Sequence, residues 1–341
     1  MQARALRTVL LIQAVEETDR SQQVLPGAER VGATRSALDD SAPPPEPHPG
    51  EPLQEAAEGF LARRAEVLLG RLRSRAPAVG HLLTIADGGS RMVHAMLPLA
   101  FVAGLVLALL AGRRINLFSF PLLALVIWNL FVYGLTLARA LGKPGAGWLA
   151  QFWFGKLYSR WLRRETDALL VDSTRFNAPL APGLARFASD WWASAQPLFE
   201  LRARWLLHLC AALAALGLIT GVYFQAFIRH DLAGWSAGSL AATSARTLLI
   251  MLYGPASALT GIAIPSVQGL EALRWDGAAG GGVATPWAHL IAVTATLYVI
   301  VPRLLAATGY ALAGWRLSRR LAAPPGLSTY AQLLLESARP A

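Results

Sequence analysis

The stretch WLLHLCAALAALGLITGVYFQAF, residues 205–227, decides the fold class of this chain. It contains no charged residue. A helix of this length, rising about 1.5 Å per residue, can cross a bilayer core of roughly 30 Å. Three other apolar stretches have comparable length, residues 93–111, 117–138 and 287–312. The pattern predicts an all-α polytopic membrane protein with four transmembrane helices, accompanied by cytosolic and interfacial amphipathic helices.

The composition agrees with a membrane protein. Hydrophobic residues make up 54% of the 341 residues and charged residues only 15%, whereas soluble domains carry about 25% charged residues. The net charge is +10, and a basic excess is also typical of proteins that bind nucleic acid. However, the sequence shows no pattern of a nucleic-acid-binding fold. Because the arginines flank the apolar stretches, we expect anionic lipid headgroups as partners and no nucleic acid.

The distribution of lysine and arginine predicts the orientation. Residues 1–92, 139–204 and 313–341 hold 25 of the 31 basic residues, and residues 112–116 and 228–286 hold 5. Because basic residues stay on the cytoplasmic side, both termini are predicted to be cytoplasmic.

The four spans divide the chain into segments with different expected roles. Within the region before the first span, Leu53–Ser74 is predicted to be amphipathic, with Phe60, Leu61, Leu68 and Leu72 on its apolar face and Arg63 and Arg64 on its polar face. In order, the predicted segments are a cytosolic helical segment with a turn at Pro26-Gly27 (1–41), a Pro-rich linker (42–53), a cytosolic amphipathic helix region (54–92), a transmembrane hairpin (93–138), a basic aromatic cytosolic or interfacial region (139–204), the third span (205–227), an outer region (228–286), the fourth span (287–312) and a cytosolic tail (313–341).

One apolar stretch leaves an alternative open. Residues 247–264 carry no charge, and Gly254-Pro255 interrupts them. The interruption favours a re-entrant or interfacial element. An unbroken helix here would instead cross the membrane, give five spans and place the C-terminus outside.

Arg303 is the candidate functional residue, together with Gly254 and Pro255. A cation at membrane depth is costly and often marks a site of function. Near the end of the fourth span, Arg303 can instead reach the inner headgroups or pair structurally within the protein. Both interpretations stay open, as does a role in binding an ion or substrate.

Two further patterns concern packing and the membrane surface. Gly217 and Gly221 form a Gly-x3-Gly motif that predicts close helix packing, either within the chain or in a homo-oligomer. Basic and aromatic residues alternate in the region after the second span, and this pattern predicts a lipid-facing surface that a partner protein can share. The residues concerned are Trp153, Arg160, Trp161, Arg163 and Arg164.

No catalytic, cofactor-binding or metal-binding residue is predicted. The six histidines have no recognised ligand spacing with cysteine, acid or another histidine, apart from the adjacent His230-Asp231. Ser257 lacks the Gly-x-Ser-x-Gly pattern of a hydrolase. The chain is therefore not expected to be an enzyme.

Three stretches resemble a bacterial membrane family catalogued as domain of unknown function 2868. They are residues 114–118 (RINLF), residues 254–265 (GPASALTGIAIP), and residues 286–291 (PWAHLI) continuing to 301–305 (VPRLL). Together the three stretches extend the resemblance over the region from about 90 to 310. It implies a multi-pass protein of the bacterial inner membrane without an assigned reaction, and it suggests a cytosolic GTPase as partner.

These observations lead to two functional hypotheses. The first is a non-enzymatic inner-membrane scaffold or sensor that engages anionic lipid and a soluble cytosolic partner. The second is a channel or transporter that uses residues 247–264 and Arg303. A membrane-embedded enzyme is a third class, but the sequence offers no convergent set of acid, base and metal ligands for it.

Overall fold

A computed structural model describes the protein at residues 1–39, 55–86, 91–110, 112, 114–118, 120–140, 160, 164, 178–236, 240–275 and 280–338. The described chain is mostly helical. The Pro-rich linker predicted at residues 42–53 lies outside the described residues, as does most of the basic aromatic region before residue 178.

The chain folds into two compact units. The first unit combines three separate stretches, Met1–Ser90, Phe154–Ala203 and Tyr310–Ala341. The second unit combines Arg91–Trp153 and Arg204–Gly309. Each unit therefore contains residues that are far apart in sequence.

The first unit is built from short helices. Its elements are α1 (Ala3–Thr18), α2 (Gly27–Asp39), α3 (Glu55–Arg75), α4 (Ala78–Ala86), the first part of α7 (Ala181–Tyr223), the last part of α11 (Val301–Arg319) and α12 (Gly326–Ser337). Pro77 separates α3 from α4, since proline disfavours a helical conformation in the residue before it. The predicted apolar face of α3 is buried, with Phe60 and Leu68 both fully inaccessible.

Arg64 corrects the predicted polar face of α3. Its side chain is buried, with only 2% of the residue exposed. Arg64 Nη2 donates to Glu16 Oε1 at 2.7 Å, Nη1 donates to the Tyr330 hydroxyl at 2.9 Å, and Nε donates to Thr34 Oγ1 at 2.9 Å. The Tyr330 hydroxyl donates in turn to Glu16 Oε2. We call these four residues the Arg64 network; it joins α1, α2, α3 and α12.

A second set of polar contacts closes the same unit at the N-terminus. The Met1 amino group donates to Glu58 Oε1 at 3.0 Å and to the Leu321 carbonyl at 3.3 Å. The Leu321 N–H donates back to the Met1 carbonyl at 2.9 Å. The first residue of the chain is thus bonded both to α3 and to the segment that follows α11.

The second unit contains the apolar helices. They are α5 (Arg91–Leu110), α6 (Phe120–Ala140), the second part of α7, α8 (Ala242–Thr260), α9 (Val267–Ala272), α10 (Thr285–Ala295) and the first part of α11. A π-helical turn, Phe224–Ile228, follows α7, and another, Thr296–Ile300, joins α10 to α11. By length and composition, two continuous helical stretches can cross a membrane, Ala178–Ile228 and Thr285–Arg319. Helices α5 and α6 carry shorter described apolar stretches, Ala95–Leu110 and Leu123–Gly134.

The predicted packing glycines lie against α5 in the same chain. A Cβ atom on Gly217 would come within 2.0 Å of the Phe101 carbonyl oxygen, and one on Gly221 within 2.5 Å of Ala108 Cβ. On the opposing helix, a Cβ on Gly104 would come within 1.9 Å of the Ala214 carbonyl oxygen. Only glycine fits at these crossings, so internal packing accounts for the motif.

A small sheet modifies the all-α prediction. Strands β1 (Arg114–Asn116) and β2 (Leu232–Gly234) pair in parallel, and β2 pairs antiparallel with β3 (Gly282–Val283). Strand β1 connects α5 to α6, β2 follows the π-helical turn after α7, and β3 precedes α10. Strands of two or three residues show no alternation in the sequence, and their pairing joins distant positions, so hydropathy patterns do not reveal them.

Helix α8 corrects the prediction that Gly254-Pro255 interrupts residues 247–264. The helix continues through both residues and ends at Gly261, which adopts a left-handed φ of 73° and donates its N–H to the Ser257 carbonyl at 2.9 Å. Residues 261–266 then run back along α8. This path brings the Pro265 carbonyl to Arg246 in the first half of the helix, where it accepts a hydrogen bond of 3.1 Å from Arg246 Nε. The turn therefore lies after Thr260, where glycine permits the required conformation.

The same helix stays close to the sheet. The Tyr253 hydroxyl, in the second half of α8, donates to the Leu117 carbonyl beside β1 at 3.0 Å. Its ring lies 6.1 Å from that of Trp287 in the first turn of α10. Before the helix begins, the Leu240 carbonyl accepts a 2.6 Å hydrogen bond from Arg274, whose guanidinium stacks on Trp235 directly after β2. Contacts with the sheet end of the unit thus occur both before α8 and in its second half.

We expect Tyr330→Phe to reduce stability at neutral pH and to flatten its dependence on alkaline pH. Burial raises the pKa of the Tyr330 hydroxyl well above its ordinary value of about 10. The unfolded chain consequently loses this proton first, and the stabilisation declines as the pH rises above about 10. Removing the hydroxyl costs about 1–3 kcal/mol below that pH, because Arg64 and Glu16 lose a buried partner. Thermal unfolding of the purified protein between pH 7 and pH 11 measures both effects.

Tyr310→Phe is the matched control, since it removes a hydroxyl from a partly exposed tyrosine of the same unit. Equal alkaline destabilisation of wild type and Tyr330→Phe would contradict a stabilising role for the protonated Tyr330.

Candidate functional site

Arg303 lies in the first turn of α11, within the second unit, and is almost completely buried at 7% exposure. Its side chain contacts two other helices. Nε donates to Asn129 Oδ1 of α6 at 2.6 Å, and Nη1 lies 3.2 Å from His208 Nδ1 of α7. Gly254 and Pro255 are placed in α8, and none of the hydrogen bonds described for Arg303 involves α8. The structure therefore does not bring the three predicted residues together.

Asn129 is the centre of the polar contacts around Arg303. It has no exposed surface and lies in the middle of a mostly apolar helix. Its Nδ2 donates to the Leu125 carbonyl at 2.7 Å, which orients Oδ1 as an acceptor for Arg303. Helix α6 thus presents a fixed neutral acceptor to the guanidinium.

Tyr133 completes the set one turn further along α6. Its hydroxyl lies 3.2 Å from Asn129 Oδ1 and 3.1 Å from the Tyr298 carbonyl oxygen. The guanidinium carbon of Arg303 lies 5.6 Å from the centre of the Tyr133 ring, within the range of a cation–π contact. We refer to Arg303, Asn129, Tyr133 and His208 together as the Arg303 cluster.

Pro302 explains why Tyr133 contacts a helix backbone. In an α-helix the Tyr298 carbonyl accepts from the N–H of residue 302, and proline has no N–H. The π-helical turn Thr296–Ile300 lies in the same place. A hydroxyl carries one proton, and Asn129 Oδ1 already accepts from Arg303. The Tyr133 hydroxyl lies within hydrogen-bonding distance of the Tyr298 carbonyl, whose α-helical donor is missing, and of Asn129 Oδ1, which has a second lone pair.

The electrostatics of the cluster are unusual. Arginine can only donate hydrogen bonds, so His208 Nδ1 must accept, and its imidazole is neutral with the proton on Nε2. Asn129 and Tyr133 are also uncharged. Within the part of the chain that the structure describes, no carboxylate pairs with Arg303. The partners satisfy hydrogen-bond donors of the guanidinium while its full positive charge remains.

The sequence left headgroup contact, structural pairing, and an ion or substrate role open for Arg303. The structure pairs its side chain with the neutral groups of Asn129, Tyr133 and His208. Asn129, Tyr133 and His208 were not predicted as site residues. A signal for Asn129 was available, because it is the only amide side chain in residues 117–138, and polar residues inside apolar spans tend to be functional.

The predicted lipid-facing residues are only partly described. Arg160 and Arg164 are helical and exposed. Trp153, Trp161 and Arg163 lie outside the described residues. As for metals, a search of the described residues found no group of three or more His, Cys, Asp or Glu side chains able to hold an ion.

Comparison of the chain with family models, with curated proteins and with solved structures gave no match. The resemblance to the family of unknown function therefore stays a prediction. What can be said about function rests on the geometry of the two units.

We expect Tyr133→Phe and Pro302→Ala to be energetically coupled. Tyr133→Phe alone should cost about 0.5–1.5 kcal/mol, because the part-buried Tyr298 carbonyl loses its hydroxyl donor. In a Pro302→Ala background the new N–H of residue 302 can replace that donor, so the second substitution should cost less. Chemical unfolding in detergent micelles of the four proteins of the cycle measures the coupling.

Tyr298→Phe provides the control, since it changes a neighbouring side chain and retains the carbonyl. Additive effects of Tyr133→Phe and Pro302→Ala would show that Pro302 does not create the need for the Tyr133 hydroxyl.

Proposed function

We propose that this protein is a non-enzymatic scaffold or sensor of the bacterial inner membrane. It would cross the membrane four times, with both termini in the cytoplasm, engage anionic lipid through basic residues, and present its first unit to a soluble cytosolic partner. The observation that carries the proposal is the assembly of one compact helical unit from stretches before, between and after the apolar helices.

The Arg64 network supports an even number of crossings. Glu16 and Arg64 precede the apolar helices, Tyr330 follows them, and the three side chains are directly hydrogen-bonded. Residues in direct contact lie on the same side of a membrane. An odd number of crossings would place Tyr330 on the opposite side from Glu16 and Arg64, so the network favours four spans over five.

The small sheet supports the same topology, since its strands all come from connections that would lie on the side of the membrane opposite to the termini. Its strands come from the two connections that four spans would place outside, β1 from the first and β2 and β3 from the second, and they pair with one another. The contacts of α8 near this sheet, before the helix and in its second half, favour an interfacial helix over a fifth span. Exposed apolar side chains, including Met251 and Leu259 at 70% and 69% exposure, would face lipid.

The positions of the charged residues favour the scaffold role over a channel or transporter, which we call the conduit alternative. In the first unit, buried charges bond internally, as in the Arg64 network, while Arg160 and Arg164 stay exposed for lipid or a partner. The conduit alternative needs residues 247–264 and Arg303 to act together, and the described hydrogen bonds of Arg303 come from α6 and α7. The GTPase suggested by the family resemblance remains the proposed identity of the partner.

The topology is tested by truncated fusions that place a reporter after Ala279 or at the C-terminus. A reporter active only outside the cytoplasm should respond after Ala279 and stay silent at the C-terminus, because the Arg64 network requires both ends on one side. A cytoplasmic reporter should give the reverse pattern. An external C-terminus would establish an odd number of spans and contradict the proposal.

The scaffold role is tested by affinity purification of the full chain from native membranes. We expect a cytosolic protein to co-purify reproducibly and to be recovered less with Arg160→Glu/Arg164→Glu, which reverses two exposed charges. Arg35→Glu/Arg73→Glu is the matched control, since both residues are exposed in the same unit. The conduit alternative predicts the opposite pattern, with no partner and an ion current in liposomes that contain the purified protein.

A further inference from the structure

We propose that the Arg303 cluster binds a phosphate oxyanion, supplied by the headgroup of an inner-leaflet lipid or by inorganic phosphate. The site lies wholly within the second unit and involves none of the residues proposed for partner docking.

Among the residues that the structure describes, no negative charge is paired with Arg303. Guanidinium stays protonated under all conditions in which the protein folds. Asn129, Tyr133 and His208 contribute hydrogen-bonding groups without negative charge, and no described carboxylate forms an ion pair with Arg303. A buried cation without a counter-charge is strongly destabilising. An anion from outside the chain would remove that cost.

The guanidinium also retains a donor for such an anion. Nε is bonded to Asn129, and Nη1 faces His208. The Tyr133 side chain is a further partner of the guanidinium. A guanidinium has five N–H groups, so these three partners leave two of them available. Phosphate oxygens match the planar guanidinium donors and form strong charge-assisted hydrogen bonds with them. Because Asn129 and His208 fix the plane of the group, the direction of the remaining N–H groups is set before the ligand arrives.

The depth of Arg303 agrees with a phosphate ligand. Counting from Thr285, where α10 begins beside the sheet, Arg303 lies about 27 Å further along the helix at the usual rise per residue. A bilayer core is roughly 30 Å thick. Under the proposed topology, which this step alone depends on, the guanidinium lies close to the inner headgroups. Both a lipid phosphodiester and a cytosolic phosphate ion can reach that level.

The test uses Asn129→Asp, which places a carboxylate of the same shape where Oδ1 lies 2.6 Å from Arg303 Nε. An internal counter-charge should make the external anion unnecessary. We expect the variant to have a higher melting temperature than wild type without ligand, and to bind phosphate at least tenfold more weakly. Asn116→Asp is the matched control, because its side chain accepts from the Phe118 N–H, which a carboxylate can also do.

Two arms separate the sources of phosphate. In maltoside micelles free of lipid, calorimetric titration with inorganic phosphate should show binding to wild type and to Asn116→Asp if the ligand is the free ion. If the ligand is a lipid, phosphatidylglycerol added to the same micelles should raise the melting temperature of those two proteins, and native mass spectrometry should detect it bound. In either case Asn129→Asp should respond least.

The proposal is overturned if neither inorganic phosphate nor phosphatidylglycerol binds wild type. It is also overturned if Asn129→Asp binds as tightly as Asn116→Asp, or if it folds less stably than wild type without ligand. Should Asn129→Asp not fold at all, the conclusion is the same, because an internal carboxylate would then not satisfy Arg303. None of these results depends on the co-purification experiment, so this proposal and the scaffold proposal can fail separately.

Discussion

The buried contact of Arg64 with Glu16 and Tyr330 is the interaction on which the arrangement of the chain depends. Removing charges from water is costly, so a buried ion pair adds little net stability, whereas separating its members is strongly unfavourable. Such a contact therefore specifies which helices pack together, and it adds little to the free energy of unfolding of the packed state. Here the selected arrangement brings α1, α3 and α12 together, and under the proposed membrane location it requires an even number of crossings between α3 and α12.

The apolar unit is held together by different means. Lipid offers little hydrophobic drive for helices to associate, and close approach of backbones becomes the main source of attraction. Gly104, Gly217 and Gly221 permit that approach, since any side chain there would overlap the facing helix. At one end, the strands add hydrogen bonds between connections that are distant in sequence. Packing and strand pairing thus do in the second unit what buried charge does in the first.

Sequence patterns predicted the features that depend on local composition. The apolar length of residues 205–227 requires a helix, and the regular spacing of Phe60 and Leu68 predicts a buried face. What the patterns missed depends on distant partners. Arg64 looked like a surface residue because Glu16 and Tyr330, which make its burial tolerable, lie 48 and 266 residues away. The partners of Arg303 were missed for the same reason, and Gly254-Pro255 was preferred over Gly261 as the break because a proline in mid-helix is usually the stronger signal.

The separation of α1 and α12 along the chain has a consequence for biosynthesis. The ribosome releases α1, α2 and α3 long before α12, and under the proposed topology the apolar helices enter the membrane in between. During that interval the buried faces of the early helices lack the C-terminal elements that complete their core, and Arg64 lacks its tyrosine. Incomplete apolar surfaces of this kind are prone to aggregation. The first unit therefore completes its core only after α12 has been synthesised, and until then a chaperone or the bilayer surface would have to protect its early helices.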